Sequence, residues 1–170
     1  MTTRLRFHSL LAFGLCAGLS ATVAANGYPT GVMQPGLYKV EGRLQNAQAG
    51  SGAGAREAVQ NFQSVMSSEL AARQVCFTPD MTRRGASSLL TQGRPGCNFE
   101  PSREDANGFE GRLRCPGDAG GDQSSTVSGR IFDAGADYSI ASSGPMMVGQ
   151  TMSRIDFRVR FVATRLGECR

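Results

Sequence analysis

The stretch Arg154–Ala163 reads RIDFRVRFVA, and this stretch decides the fold. Its apolar side chains recur at every second position, as Ile155, Phe157, Val159, Phe161 and Ala163. Charged side chains fill most of the intervening positions, as Arg154, Asp156, Arg158 and Arg160. A period of two with one apolar and one charged face is typical of a strand that is buried on one side. We therefore expect a half-buried strand here, which Gly167 interrupts before Cys169.

The same alternation recurs upstream and predicts further short strands. We place them at Leu37–Leu44, Gln74–Phe77, Asn98–Pro101, Phe109–Cys115, Ser125–Phe132 and Asp137–Ser142. Asn107-Gly108 and Asp133–Ala136 are turn sequences that favour hairpins between neighbouring strands. Stretches rich in small and polar residues predict three loops, at Gln45–Gly54, Pro116–Ser124 and Ser143–Thr151.

Between Ala55 and Arg73 the apolar period changes from two residues to three or four. The apolar positions there are Ala55, Val59, Phe62, Met66 and Leu70. This spacing predicts one amphipathic helix over Ala55–Arg73. Thr78-Pro79 is a capping residue followed by proline, which predicts a short helical turn ending near Gly85. Ser87–Gln92 is expected to add another turn, with two leucines buried.

Short strands joined mostly by turns form antiparallel sheets, whose faces can differ in polarity. We therefore predict a mainly β fold. It consists of a curved antiparallel meander sheet, as a barrel or a half-barrel, with one amphipathic helix and two disulfides.

The N-terminus has the pattern of a secretion signal. Arg4 and Arg6 precede a mostly apolar run over 9–19, and Val23-Ala24-Ala25 supplies the small residues that signal peptidase reads. The apolar run is shorter than the roughly 20 residues of a membrane-spanning helix. We expect a cleaved signal at 1–25, a single domain at 26–170 with no transmembrane segment, and a periplasmic or secreted location.

Charge and histidine content exclude several function classes. Loss of Arg4 and Arg6 with the signal reduces 18 basic residues to 16 against 14 acids, so the mature charge of +2 does not indicate nucleic-acid binding. The single histidine is His8, inside the signal. The mature chain therefore has no histidine for a catalytic triad or for an imidazole metal site. We expect no enzyme activity, no metal and no cofactor.

Four cysteines remain after the signal: Cys76, Cys97, Cys115 and Cys169. An even number in a small exported domain is typical of a disulfide framework. Cys97 and Cys115 flank the Asn107-Gly108 hairpin, which favours a bridge between them and leaves Cys76 for Cys169. The two other pairings stay open at this point.

Five short motifs occur in a characteristic order along the chain. They are Gln34–Tyr38, Cys76–Pro79, Gly96–Phe99, Gly111–Cys115 and Arg165–Cys169. In this order they resemble the bacterial exported family called domain of unknown function 3617. The chain departs from that pattern at Tyr38, where many members have tryptophan, and in a longer, more helical insert over Gln45–Arg73. The resemblance implies an envelope location, a β fold and paired cysteines, and it implies no catalytic residue.

We expect the protein to bind a small apolar or amphipathic ligand, or an envelope component. Any pocket inside the sheet would be lined by Val40, Leu113, Ile131, Phe157 and Phe161, unless these side chains simply fill the core. The alternative is a protein-binding module, such as an inhibitor of a secreted hydrolase, whose contact would be one of the loops Pro116–Ser124 or Ser143–Thr151.

Two clusters of charge suggest other sites. Five arginines of the predicted strands can align on one face and bind an anionic glycan or headgroup: Arg112, Arg114, Arg130, Arg158 and Arg160. Pairing with Glu110 and Asp156 is the competing interpretation. Carboxylates around the first hairpin, at Glu100, Glu104, Asp105 and Glu110, more commonly keep a strand edge soluble than catalyse a reaction.

Overall fold

The structure is a computed structural model that describes residues 31–51, 54–117, 122–148 and 151–169. Seven strands lie in this part of the chain: β1 (Gly36–Ala49), β2 (Arg73–Phe77), β3 (Asn98–Asp105), β4 (Gly108–Pro116), β5 (Asp122–Phe132), β6 (Gly135–Val148) and β7 (Thr151–Gly167). Three helices accompany them: α1 (Ala55–Glu69), α2 (Pro79–Arg83) and α3 (Gly85–Thr91).

The seven strands form one antiparallel sheet in the order β2-β1-β7-β6-β5-β4-β3. Strands β3 to β7 follow one another as hairpins, and β1 then pairs with β7 while β2 pairs with β1. The sheet does not close, because β2 and β3 are its two edges. The predicted meander is therefore confirmed as an open sheet, the half-barrel of the two alternatives.

Aromatic rings fill the inner face of the sheet. They are Tyr38, Phe77, Phe99, Phe109, Tyr138 and Phe161, and all are buried. Tyr138 stacks on Phe161 with ring centroids 5.2 Å apart, and Phe109 lies 6.3 Å from Tyr138. Gly129 makes this packing possible, because a Cβ there would lie 2.3 Å from the Cβ of Tyr138. The core is thus a packed layer of side chains on one face of the sheet.

The segment before β1 is tied to the turn between β5 and β6. Tyr38 donates a hydrogen bond from its hydroxyl to the carbonyl oxygen of Gln34 at 2.7 Å. The amide of Gln34 in turn donates to the carbonyl oxygen of Asp133 at 3.2 Å. Met33 is buried in the core beside this contact. These bonds satisfy backbone groups that lie outside the strand ladders.

The helices cover the inner face at two places. Phe62 of α1 packs against Phe157 at a centroid distance of 5.0 Å and shares a buried cluster with Ile155. Leu70, which caps the end of α1, packs where Gly42 leaves room, since a Cβ at Gly42 would lie 2.5 Å from its side chain.

The short helices α2 and α3 lie beside the β3 edge. Thr78 caps α2 as predicted, because its hydroxyl accepts a hydrogen bond from the amide of Met81 at 3.4 Å. The amide of Ala86 in α3 donates to Glu104 Oε1 of β3 at 2.8 Å. Leu89 and Leu90 of α3 are buried, as their sequence predicts.

Two of the predicted loops are wrong. Gln45–Ala49 continues β1, and Ser143–Val148 continues β6, because both pair with β7 along its length. Small and polar residues resemble turns in sequence, but here the backbone ladder of a long neighbour extends them as strands. The predicted helix over Ala55–Arg73 ends earlier, at Glu69, since Arg73 already pairs with Val40.

The predicted signal at 1–25 lies outside the described residues, and the single domain at 26–170 stays a prediction. Within the four described segments, no helix has the length and apolar character needed to cross a membrane.

Both favoured disulfides are present. Cys97, directly before β3, bonds to Cys115 of β4 and closes the open end of that hairpin, with Cα atoms 4.1 Å apart. Cys169 follows β7 and bonds to Cys76 of β2, with Cα atoms 5.7 Å apart. Leu37 of β1 pairs with Cys76 on one side and with Gly167 on the other, so this bridge crosses the end of β1.

Removing the two bridges should destabilise the fold unequally. The Cys76–Cys169 bridge spans 93 residues and the Cys97–Cys115 bridge 18. Loop-closure entropy in the unfolded chain then predicts losses of about 4.6 and about 3 kcal/mol when each pair is replaced by serine. Urea unfolding of the two double variants measures both losses. A smaller loss for the longer bridge would contradict this account.

Candidate functional site

The five residues predicted to line an internal pocket are buried or partly buried within the core. Leu113, Ile131 and Phe161 belong to the main buried cluster, together with Val40. Phe157 is partly buried and contacts the ring of Phe62. These side chains pack into the interior of the sheet, and Val40 also borders a cavity at its open side.

A smaller cavity of about 210 Å³ does lie at the open side of the sheet. Strands β1 and β2 supply Val40, Val75 and Phe77, and α3 supplies Leu89. Tyr138 reaches it from β6, while Arg73, Gln92 and Gly93 complete the lining. The cavity therefore lies between residues of β1 and β2 on one side and the C-terminal end of α3 on the other.

Tyr138 contributes a hydroxyl group to this largely apolar lining. Its side chain is 6 % exposed. No hydrogen bond of its hydroxyl to any described residue is present, whereas the hydroxyl of Tyr38 donates to Gln34. Burial raises the pKa of Tyr138 to about 12, although Arg94 and Arg73 act in the opposite direction. The hydroxyl is therefore a neutral donor over the whole physiological pH range.

Two arginines give the cavity a positive rim. Arg73 lines the cavity itself, and Arg94 acts on Tyr138 electrostatically. Both side chains are exposed, and neither forms an ion pair with a described residue. The cavity thus combines an apolar interior with cationic groups near its rim.

The carboxylates around the first hairpin have structural partners. Glu100 pairs with Arg114 at 3.2 Å, and Glu110 pairs with Arg103 at 2.9 Å. Asp105 accepts a hydrogen bond from the amide of Asn107 at 2.7 Å within the turn. Glu104 accepts the hydrogen bond that the amide of Ala86 in α3 donates. Each therefore holds the local structure, which leaves no pair of free carboxylates for acid–base catalysis.

The predicted arginine face exists, with partners that differ from those expected. The strand registers place all five arginines on the outer face of the sheet. Arg114 and Arg160 are paired, with Glu100 and Asp137 respectively. Arg112 and Arg158 form no ion pair with a described residue. Glu110 and Asp156, their partners in the competing interpretation, instead contact Arg103 and Arg154.

Comparison with known families gives a match over most of the chain. The family model described as Protein of unknown function (DUF3617) matches residues 33–169. The chain belongs to the DUF3617 family. No curated protein and no solved structure matches it. The DUF3617 match covers every described strand and both disulfides, and it assigns no activity to them.

Several predictions fall on residues that the structure does not describe. The predicted loops Pro116–Ser124 and Ser143–Thr151 include 118–121 and 149–150, and the predicted signal at 1–25 lies wholly outside the description. Within the described part of this DUF3617 chain, no group of three His, Cys, Asp or Glu side chains is arranged to hold a metal ion.

Sequence reasoning missed the cavity at the open side. Tyr138 lies in a predicted strand, but nothing in its neighbours shows that its hydroxyl lacks a partner. Arg73 was assigned to the helix rather than to the edge strand. The period-two spacing of Arg73, Val75 and Phe77 was the available signal, since it places all three on one face of β2.

Removing the two tyrosine hydroxyls should have opposite consequences. Tyr38→Phe leaves the carbonyl of Gln34 without its donor, which should cost about 1 kcal/mol of folding free energy. Tyr138→Phe removes a hydroxyl that bonds to no described residue, so it should leave the unfolding free energy unchanged or slightly higher. Urea unfolding of both variants tests this. A clear loss in Tyr138→Phe would show that its hydroxyl has a partner in the folded protein.

Asp137 should contribute to the acid sensitivity of the fold. A hydrogen bond from Arg160 holds the pKa of Asp137 below its usual value of 3.8, and the charges of Arg160 and Arg130 act in the same direction. A lowered folded pKa adds stability above the unfolded pKa, which is lost as pH falls through the folded value.

Asp137→Asn should therefore be less stable than wild type at pH 7, and the difference should be smaller at pH 3. Denaturant unfolding between these pH values measures the difference. Asp133→Asn is the matched control, since Asp133 has no ion pair with a described residue. A difference for Asp137→Asn that stays constant over this range would contradict the assignment.

Proposed function

We propose that this DUF3617 protein is an exported, non-enzymatic binding protein for a small amphipathic ligand with an anionic group. The observation that carries the proposal is the cavity at the open side of the sheet. Its lining is apolar at Val40, Val75, Phe77 and Leu89, and it offers one unbonded hydroxyl at Tyr138. Apolar clefts with a few placed polar groups are the usual form of small-molecule sites.

The volume of the cavity limits what enters it. At about 210 Å³ it exceeds the engineered apolar cavity of about 150 Å³ that binds benzene. It is smaller than the roughly 300–1,000 Å³ of sites that enclose a whole drug-sized molecule. A short alkyl chain or a single ring therefore fits inside, and the rest of the ligand stays at the rim.

The rim favours a negative group on the part of the ligand that stays outside. Arg73 contributes a guanidinium directly to the lining, and Arg94 acts on the same site. An arginine pairs well with a carboxylate or phosphate because its planar fork matches two oxygen atoms. The neutral Tyr138 hydroxyl donates a further hydrogen bond.

Export and the lack of catalysis rest on separate observations. Two disulfides suit an oxidising compartment, in agreement with the signal-like N-terminus. The sequence has no histidine beyond His8, and the carboxylates near the first hairpin are engaged in ion pairs or backbone contacts. A binding role needs neither group.

Filling the cavity should abolish binding. Val75 is partly buried on β2, and Val75→Trp places an indole in the space a ligand would occupy. We expect calorimetry to show octanoate binding to wild type and at least tenfold weaker binding to Val75→Trp. Arg73→Gln should weaken octanoate binding while leaving octanol binding within twofold, since only octanoate carries charge.

Val65→Trp is the matched control, because Val65 is 57 % exposed on α1 and away from the cavity lining. It should bind octanoate as wild type does. Native mass spectrometry of protein taken from the envelope without unfolding should show an adduct that is lost on denaturation. Equal octanoate binding by Val75→Trp and wild type, or the absence of both binding and adduct, would refute the proposal.

The protein-binding alternative stays a prediction. Its two contact loops were placed at Pro116–Ser124 and Ser143–Thr151, of which the second is mostly strand. Met152 is 45 % exposed at the start of β7, but a single exposed apolar side chain is common on protein surfaces.

A further inference from the structure

Nearly every acid on the outer face of the sheet already has a basic partner. Glu100 pairs with Arg114, Glu110 with Arg103, Asp137 with Arg160, and Glu41 with Lys39. Asp156 accepts a hydrogen bond from Ser143 and lies 4.0 Å from Arg154. The positive charge of Arg112 and Arg158 on this face is therefore not neutralised by any described side chain.

Arg112 and Arg158 line one groove from its two sides. The register runs from Arg112 to Thr126, from Thr126 to Ala141, and from Ala141 to Arg158 across neighbouring strands. Three inter-strand spacings separate the two arginine backbones by about 14 Å. Both side chains border the same cavity of about 400 Å³, so the two guanidinium groups can act on one ligand.

Short side chains form the floor between the two arginines. Thr126 and Ala141 lie directly between them, and Ser124 and Ser143 lie beside these two. A second cavity of about 450 Å³ shares Thr126, Ala141 and Arg158 and continues past Ser128 and Ser139. The two cavities thus form an extended channel lined mostly by hydroxyl groups, each of which can donate and accept hydrogen bonds. The channel also contains the carboxylates of Asp156 and Glu110, whose charges already have the basic partners Arg154 and Arg103.

We propose that this outer groove binds an acidic oligosaccharide, with Arg112 and Arg158 holding its anionic groups. The guanidinium fork pairs with two oxygen atoms of a carboxylate or phosphate, and the floor hydroxyls match the hydroxyls of the sugar rings. The extended shape suits several consecutive sugars. This site lies on the opposite face of the sheet from the cavity of the proposed function and does not depend on it.

The groove favours a glycan over a membrane surface. A protein that docks on lipid commonly inserts apolar side chains beside its basic groups. The exposed large apolar side chains of the described residues are Val32, Val65, Met152 and Leu166, and none of them lines the groove. The hydroxyl groups also lie on a recessed floor between the two arginines, which a flat membrane surface would not reach.

The test uses a hexamer of galacturonic acid as the acidic probe and a hexamer of galactose as the neutral one. Calorimetry at low salt should show binding of the acidic hexamer to wild type and none of the neutral hexamer. Added salt should weaken this binding, because the two arginines are exposed. Arg112→Gln combined with Arg158→Gln should weaken it at least tenfold.

Arg56→Gln combined with Arg84→Gln is the matched control. Both arginines are exposed, neither lines the groove, and the change in net charge is the same. This control and Val75→Trp should bind the acidic hexamer within twofold of wild type, while thermal unfolding shows that every variant is folded.

Three outcomes would overturn the proposal: no binding of the acidic hexamer, an equal loss in both double variants, or equal binding of the neutral hexamer. Binding to phosphatidylglycerol vesicles that needs Arg112 and Arg158, without binding of the hexamer, would also overturn it and identify a membrane surface instead.

Discussion

The pairing of β1 with β7 is the constraint on which the rest of the structure depends. It joins the first strand to the last along most of their lengths, from Leu37 opposite Gly167 to Ala49 opposite Ile155. Strand β2 has no partner except β1, and α1 packs chiefly on β1. Without this ladder, β3 to β7 would remain a five-stranded meander with β7 as an exposed edge. The Cys76–Cys169 bridge secures the same junction from the side of β2.

Because the aromatic layer fills the inner face, space for a ligand remains at the margins of the fold. The cavity beside Tyr138 lies between the β2 edge of the sheet and α3. The outer groove arises for a different reason: β5 and β6 carry small hydroxyl side chains on the outside, between strands that carry arginines. The two faces therefore offer different chemistry: the inner cavity is apolar with a cationic rim, and the outer groove is polar with two arginines that form no ion pair with a described residue.

The sequence predicts the strands well wherever apolar and charged residues alternate, because that alternation is the direct consequence of one buried face. It fails at Ser143–Val148, where the residues are small and the strand depends on hydrogen bonds to β7. Neither the neighbours of β1 nor the open edge can be predicted from local pattern, since both depend on long-range pairing. The disulfide ranking succeeds because Cys97 and Cys115 flank a local hairpin. The cavity at Tyr138 depends on how α3 lies against β1 and β2, which no local pattern in the sequence predicts.

The antiparallel neighbours β1 and β7 are separated by almost the whole described chain. Contacts of such high sequence separation form slowly, because a long loop must close before they contribute. During synthesis β1 must wait for its β7 partner, because β7 is the last strand of the chain to be made. Cys76 has to wait as well, since Cys169 is the last of the four thiols to appear, while Cys97 and Cys115 come within its reach much earlier. The order of synthesis therefore requires Cys76 either to stay reduced until Cys169 appears or to be released from an earlier pairing by thiol–disulfide exchange.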